Sequence, residues 1–346
     1  MKYYDKIPEN FLMIRFVATR YCNYRCPYCY VPLKKRTKWK TMFSHHTKDQ
    51  WLKALKENFS DKYLEFYFAG GEPLLVKECV LMIKELVKWK NVHKIRIDSN
   101  ISHVDSFVKE VQSEKIEFLT AFHPTQVSLE KYLSKVLILK KYGMLGMVNF
   151  VASKENLKVI GIPPHKLIGI FEKEDIFLNV AKDFMCKRYG YSYDKNYKEY
   201  IDMFQYPLDR FYMDGIPLNK GYLCGGGKHY IFFNRHGNAY SCGNTHYKKE
   251  GLGNIFDGNL RLKKNLCACE ECGCPSIVSY SFSSSNNFNP INHIKDYIER
   301  CRDIRKGLKK DVIENKWKKV NIDHIWKRNN LLSPIKRIIY KKYKGE

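Results

Sequence analysis

The chain of 346 residues has no run of about 18 apolar residues, so no segment is built to cross a membrane as a helix. Its opening, MKYYDKIPEN, lacks the apolar core of an export signal, and the expectation is a cytoplasmic protein. Acidic residues are comparatively few: 36 Asp or Glu stand against 61 Lys or Arg, a formal net charge of +25. That balance raises nucleic acid as a partner, but no recognised nucleic-acid module is legible. The charge is also uneven, with 17 Lys or Arg against 7 Asp or Glu in residues 291–346 and a thin spread elsewhere. Nucleic acid is therefore not the preferred partner. Apolar content of 44% with 14% aromatics describes a foldable globular chain, long enough for one large domain and a smaller one.

Cysteine is plentiful. Twelve cysteines in a chain expected in the cytosol point to metal or redox chemistry before disulfides. Cys22, Cys26 and Cys29 stand at C-x₃-C-x₂-C spacing, and no fourth cysteine follows until Cys79. A [4Fe–4S] cluster normally takes four thiolates, so three leave one iron open to a substrate or cofactor. A zinc site would pair C-x₂-C with a second pair of ligands, which is missing here. With aromatic Tyr28 just before the third cysteine, the stretch resembles the signature of the radical S-adenosylmethionine (SAM) superfamily. The resemblance implies that the open iron chelates the amino and carboxylate groups of SAM. Reductive cleavage then yields a 5′-deoxyadenosyl radical that abstracts hydrogen from an unactivated carbon. The chemistry belongs to the cofactor, and the protein positions and shields it. A flavodoxin- or ferredoxin-type electron donor is implied as well.

Strands and helices alternate downstream. A β-branched apolar run at 12–19 reads as the strand that delivers the cysteine loop, and KKRTKWK after it as basic loop. Thr47-Lys48-Asp49-Gln50 is a capping box opening a helix to about residue 59. Further strands are expected at 64–68, 93–100, 118–123, 147–153 and 176–180, with helices at about 73–89, 102–113 and 128–142 and a short one after Pro163-Pro164. Six such repeats imply parallel strands with right-handed crossovers. The resemblance implies a partial (β/α)₆ TIM-like barrel over 12–185, with function at the C-terminal strand ends. There stand Gly70-Gly71-Glu72-Pro73, Ser99-Asn100, His123, Asn149 and Ser153. GGEP matches the family's second motif, whose glycines let backbone approach a ligand closely. By resemblance Gly70, Gly71 and Glu72, with Pro73, line the site for SAM's amino group, and Ser99 and Asn100 lie near SAM. His123 either touches SAM or substrate or caps its strand. Cys79 is read as packing, and Lys187 and Arg188 as solvated charges or contacts to an anionic substrate.

A second cysteine field begins at Cys224 after a connecting segment, 186–220. A hairpin is expected around Gly237, and Cys242, Cys267, Cys269, Cys272 and Cys274 follow. The C-x₁₂-G-x₄-C pattern with a later C-x₂-C resembles SPASM/twitch auxiliary-cluster domains, here a small α+β unit over 221–280. The shorter twitch form, with one auxiliary [4Fe–4S] cluster, fits better than full SPASM spacing. Cys224, Cys242, Cys269 and Cys272 are the expected ligands, with Cys267 and Cys274 as alternatives; a zinc ribbon is the rival. Cys186 follows the sixth strand and is a candidate hydrogen-atom donor, against the commoner fate of a buried thiol. Cys301 is read as packing. Residues 281–290 look like a linker, and 291–346 form a basic helical tail. The alternation at 331–340 would suit peripheral contact with an anionic membrane, although a solvated helix packed on the domain is preferred.

The expectation is a radical SAM oxidoreductase that dehydrogenates a small carbohydrate-like or nucleotide-linked molecule. With the first strand expected near residue 12, no leader-binding winged helix is expected before it. Two rivals stand beside this reading: a peptide or protein maturase of the RiPP or sulfatase type, and a redox-neutral epimerase using Cys186.

Overall fold

The computed structural model describes residues 10–29, 31, 38–181, 191–205, 223–224, 226–241, 251–263, 265–266, 293–322 and 326–328. Period-two alternation builds its strands. In β1 (Phe11–Thr19), Leu12, Ile14 and Phe16 enter one core and Phe11 and Met13 the other. β2 (Tyr63–Gly70), β3 (Val92–Ser99), β4 (Ile116–Phe122), β5 (Leu145–Val151) and β6 (Leu178–Ala181) follow, each parallel to its predecessor. Between them lie α1 (Lys48–Phe59), α2 (Lys77–Leu86), α3 (Val104–Glu110), α4 (Leu129–Lys141), α5 (Lys154–Ile160) and α6 (Pro164–Lys173). This is an α/β fold with a parallel-dominated sheet.

The capping box forms as read: Thr47 Oγ1 accepts from Gln50 N at 3.2 Å, and Gln50 Oε1 from Thr47 N at 2.8 Å. Two boundaries differ from the sequence reading. The helix expected at 73–89 is a 3₁₀ turn (Pro73–Leu75) followed by α2, separated by extended Val76. Glu72 caps the 3₁₀ turn, its carboxylate accepting the Leu74 N–H. The other difference is α5, which precedes the proline pair; Ser153 caps its start and left-handed Gly161 (φ 67°) ends it.

Beyond β6 come β7 (Tyr191–Tyr193), α7 (Lys195–Asp202) and β8 (Leu223–Cys224). The expected hairpin forms as β9 (Tyr230–Phe233) and β10 (Asn238–Tyr240), turning at Gly237 with φ 83°. What the sequence did not indicate is where it goes. β9 pairs in parallel with the free edge of β1, Met13 opposite Tyr230 and Phe16 opposite Phe233. With β11 (Gly253–Asn254) this makes one nine-stranded sheet, ordered β11-β10-β9-β1-β2-β3-β4-β5-β6. Phe233 stacks on Phe16 at 5.8 Å, and Trp51 of α1 meets Phe16 edge-on at 5.3 Å. β12 (Asn265–Leu266) pairs with β8.

The described part of the basic tail is α8 (His293–Lys306), α9 (Lys310–Lys318) and β13 (Trp326–Arg328), which pairs with β7. α8 packs against the inward face of the sheet. Its Tyr297 and Cys301 join Phe11, Met13, Tyr67, Leu119, Met147, Phe177, Tyr230 and Phe232 in one buried cluster. The cluster draws on β1, β2, β4, β5 and β9 along one face of the sheet. Arg305 lies over the Phe177 ring at 4.5 Å and donates to Leu178 O at 2.7 Å, fastening α8 to β6. Cys79 and Cys301 are fully buried, as their packing role requires. No helix among the described residues is long and apolar enough to cross a membrane. The stretch 331–340 lies outside the described residues.

Near the N-terminal strand ends the inward face carries charge. Arg96 donates to Glu65 at 2.6 Å and to Glu117 at 2.8 Å, with Arg96 and Glu65 almost entirely buried. Burial pushes the Glu65 carboxyl up, and the Arg96 guanidinium opposes that shift. Replacing Arg96 with Ala leaves Glu65 buried without its counter-charge. The Arg96→Ala variant is expected to lose about 3–5 kcal/mol of unfolding free energy, read as an earlier urea midpoint.

Candidate functional site

The cysteine loop leaves β1 at Thr19, whose hydroxyl accepts from Tyr21 N and donates to Lys40 O, both at 3.0 Å. Cys22 Sγ receives two N–H donors, Tyr24 N at 3.4 Å and Asn100 Nδ2 at 3.6 Å. Asn100 Nδ2 also reaches Asn23 Oδ1 at 3.0 Å, and Asn23 Nδ2 reaches Ser102 Oγ at 3.0 Å. Further along, Arg25 N donates to Gln126 Oε1 at 2.9 Å, while its guanidinium holds the Cys22 and Tyr24 carbonyls. The loop is thereby tied to the ends of β3 and β4. Cys26 is buried, whereas Cys22 and Cys29 are partly open.

The two glycines of GGEP are dictated by the chain itself. Gly70, at φ 136°, would bring a Cβ to 2.1 Å from Thr19 O, and a Cβ on Gly71 would stand 1.9 Å from Tyr21 O. The close approach read at this motif is thus made to the backbone that opens the cysteine loop. Gly71 N donates to Thr19 O at 2.7 Å and Glu72 N to Tyr21 O at 2.9 Å. Glu72 is wholly buried, and its carboxylate accepts from Ser99 Oγ and Asn100 N, both at 2.7 Å, and from Leu74 N at 3.1 Å. Its side chain works as a brace between β2 and β3, with Pro73 buried beside it. Burial lifts the Glu72 carboxyl to about 7 against these hydrogen bonds. The next residue past Asn100, Ile101, is a buried β-branched residue at φ 52°, a conformation such side chains rarely adopt.

Tyr28 and His123 meet: the phenol oxygen lies 2.7 Å from His123 Nδ1, and Tyr24 stands edge-on to the same imidazole at 5.9 Å. Burial lowers His123 to about 4, so the ring is neutral near pH 7. His123 therefore does more than cap β4, although its carbonyl does accept from Gln126 N at 2.8 Å. Ser153 differs from expectation, because its buried hydroxyl caps α5 through Asn156 N at 3.2 Å. Asn149, on the inward face of β5, accepts from Asn179 Nδ2 at 2.9 Å, and Tyr297 donates to Asn179 Oδ1 at 2.9 Å.

A second inward-facing group was not anticipated. Tyr67 donates to Asp98, and the Arg15 guanidinium sits over the Tyr67 ring at 5.1 Å. Burial raises the Asp98 carboxyl to about 6, opposed by Tyr67 and Arg15. The signal was available: Arg96 and Asp98 alternate with Ile95 and Ile97 in a strand flanked by parallel neighbours, where charge needs a reason. Asp98, Asn149 and Arg15 remain partly accessible where Leu119 and Met147 below them do not. They form polar walls over an apolar floor.

Among the described residues no three of His, Cys, Asp or Glu stand close enough to share one metal ion. A four-iron cluster makes a different demand, since each thiolate binds its own iron and the sulfurs surround a volume. Three thiols on one braced loop, with two N–H groups on Cys22 Sγ, suit that donor set. Cys186, Cys242, Cys267, Cys269, Cys272 and Cys274, with Lys187 and Arg188, lie outside the described residues. The backbone of Cys224 is on β8 opposite Asn265.

Residues 16–152 match the family model of the Radical SAM superfamily, so the chain carries a radical SAM domain. Among solved structures, native anSMEcpe with bound AdoMet superposes at TM-score 0.53 with 16% identity, covering 86% of this chain and 100% of that one. The polyhistidine-tagged form of anSMEcpe with bound AdoMet gives 0.51 at 15% identity over 89% and 98%. BtrN in complex with AdoMet and 2-DOIA gives a looser 0.37 at 17% identity over 72% and 80%. At these identities the likeness to anSMEcpe is one of fold. No curated protein matches by sequence.

Two expectations follow. Gly71→Ala displaces the cysteine loop, so the variant should retain its far-ultraviolet circular dichroism yet lose most of the iron that wild type takes up on anaerobic reconstitution. Glu72 keeps its proton to higher pH folded than unfolded, so the unfolded state binds fewer protons between about pH 4.5 and 7. Stability contributed by this group should fall as pH rises through that window, by up to about 1.4 kcal/mol per pH unit. Urea titrations at several pH values should show a shallower decline in Glu72→Gln.

Proposed function

With the radical SAM domain as premise, we propose that the chain is an enzyme that oxidises a C–H bond of a small polar molecule. In this reading Cys22, Cys26 and Cys29 hold a [4Fe–4S] cluster and SAM takes its open iron. When bound, cluster and SAM together supply a 5′-deoxyadenosyl radical able to remove a hydrogen atom from carbon.

The chain's own residues have distinct tasks. Asn100 and the Tyr24 N–H keep Cys22 Sγ oriented, and Glu72 fixes Asn100 from behind. Tyr28, Tyr24 and neutral His123 form an aromatic wall that limits water near the loop. The substrate lies on the inward face, where Asn149 offers an amide and Arg15 a cation. Oxidation of a carbinol removes one hydrogen atom, one proton and one further electron. Asp98 is the acceptor for that proton: it is mostly ionised near pH 7 and held by the Tyr67 hydroxyl. An auxiliary [4Fe–4S] cluster at Cys224, Cys242, Cys269 and Cys272 would supply an electron acceptor, and Cys224 alone of these is among the described residues.

The observation that carries the reading is the polar lining of the inward face next to the cysteine loop, with an ionisable carboxylate at its centre. The test is anaerobic incubation of reconstituted enzyme with SAM, dithionite and a panel of amino sugars, cyclitols and nucleotide sugars. 5′-Deoxyadenosine should form with wild type and vanish in the Cys22/Cys26/Cys29→Ala variant; its absence from wild type overturns the reading. With an accepted substrate, Asp98→Asn should slow ketone formation by about 10²-fold and leave substrate-free cleavage of SAM intact. Deuterium incorporation from solvent without ketone would point to epimerisation instead.

A further inference from the structure

Residues 20–46 contain the three candidate cluster ligands, seven Lys or Arg, and no Asp or Glu. Of those cations, Arg20, Arg25, Lys38 and Lys40 are among the described residues, and all four are exposed. Arg25 is occupied with loop carbonyls, whereas Arg20, Lys38 and Lys40 have no carboxylate partner among the described residues. The segment 38–41 runs beside the start of the cysteine loop, fastened by Thr19 Oγ1 to Lys40 O and by the Thr19–Thr41 bridge. Between the two lysines stands Trp39, 55% exposed. Its ring meets Tyr21 edge-on at 4.9 Å, and Tyr21 directly precedes Cys22.

Neither feature serves the fold. Three neighbouring cations without a carboxylate partner among the described residues repel one another, and an indole half out of water forgoes burial. A partner surface explains both, since tryptophan is a preferred interface anchor and cations around it steer an acidic partner into register. The location narrows the partner. A cluster on this loop must receive its electron from outside the chain, and exposed Trp39 packs on Tyr21, the residue before Cys22.

We infer that Arg20, Lys38 and Lys40 around Trp39 form the docking surface for an acidic flavin-carrying one-electron donor protein, which rests on the cluster reading above. One electron leaves the partner's reduced flavin, which is oxidised by one electron, and enters the cluster, which is reduced by one.

The experiment follows cluster bleaching in reconstituted holoenzyme by anaerobic stopped flow, with flavodoxin hydroquinone as the probe and dithionite as a donor that needs no docking. In Arg20→Glu/Lys38→Glu/Lys40→Glu the rate with flavodoxin should fall at least about tenfold and lose most of its salt dependence. Trp39→Ala should slow the same reaction with its salt dependence kept. Dithionite should bleach every variant to the wild-type extent. Should the triple variant take up less iron, the single variants Lys38→Glu and Lys40→Glu, outside the cysteine loop, carry the comparison. Wild-type rates with flavodoxin in the charge-reversed proteins overturn the assignment, as does loss of poly-uridine RNA binding with flavodoxin rates unchanged. If dithionite bleaches not even wild type, the cluster reading itself fails.

Discussion

Everything at the mouth of the sheet depends on the contact between the Gly70-Gly71 turn and the backbone of residues 19–21. The two chains approach so closely that only hydrogen fits on either α-carbon. Through it the end of β2 fixes the start of the cysteine loop, and two backbone hydrogen bonds hold the junction. Glu72 carries the constraint onward. Its carboxylate fixes Ser99 and the Asn100 N–H, and the Asn100 side chain returns to Cys22 and Asn23. The result is a closed circuit of three strand ends in which the thiol loop is held from both sides. A buried carboxylate with its proton affinity raised is the energetic consequence of placing such a brace where water does not reach.

Burial and polarity divide the inward face into layers. Near the N-terminal strand ends, Arg96 with Glu65 and Glu117 form a closed charge cluster with little exposure. The middle is apolar and is filled by Tyr297 and Cys301 from α8. Toward the cysteine loop the polar groups return, now partly accessible, as Arg15, Asp98 and Asn149. A reaction that makes a carbon radical benefits from this order, because a rigid apolar floor limits substrate motion and the polar walls orient it.

The legible and illegible parts of the sequence separate on physical grounds. The strands at 12–19 and 64–68 and the capping box at Thr47 rest on local periodicity and side-chain chemistry, and they formed within a residue or two. The helix read at 73–89 is interrupted at extended Val76, a break that apolar periodicity does not register. Ser153 ends a strand, the position expected of a ligand, and a serine followed by Lys-Glu-Asn is equally a helix cap, the role its hydroxyl takes in α5. Asp98 sits inside a run that reads as strand, and its signal is charge alternating with isoleucine. The attachment of β9 to β1 had no local signal at all, since partner choice between distant strands depends on which edge is left open.

That pairing bears on how the protein is made. Strand β1 leaves the ribosome well before its outer neighbour β9, which emerges roughly two hundred residues later. At translation rates of about 5–20 residues per second, the edge of β1 stays unpaired for roughly ten to forty seconds. During that interval a run containing Leu12, Met13, Ile14 and Phe16 offers unpaired backbone groups to any other strand. The inward cluster waits longer still, because Tyr297 and Cys301 arrive after β9. Until β9 and α8 have both been synthesised, the β1 edge and the inward apolar cluster are the parts of the nascent chain most open to wrong pairing.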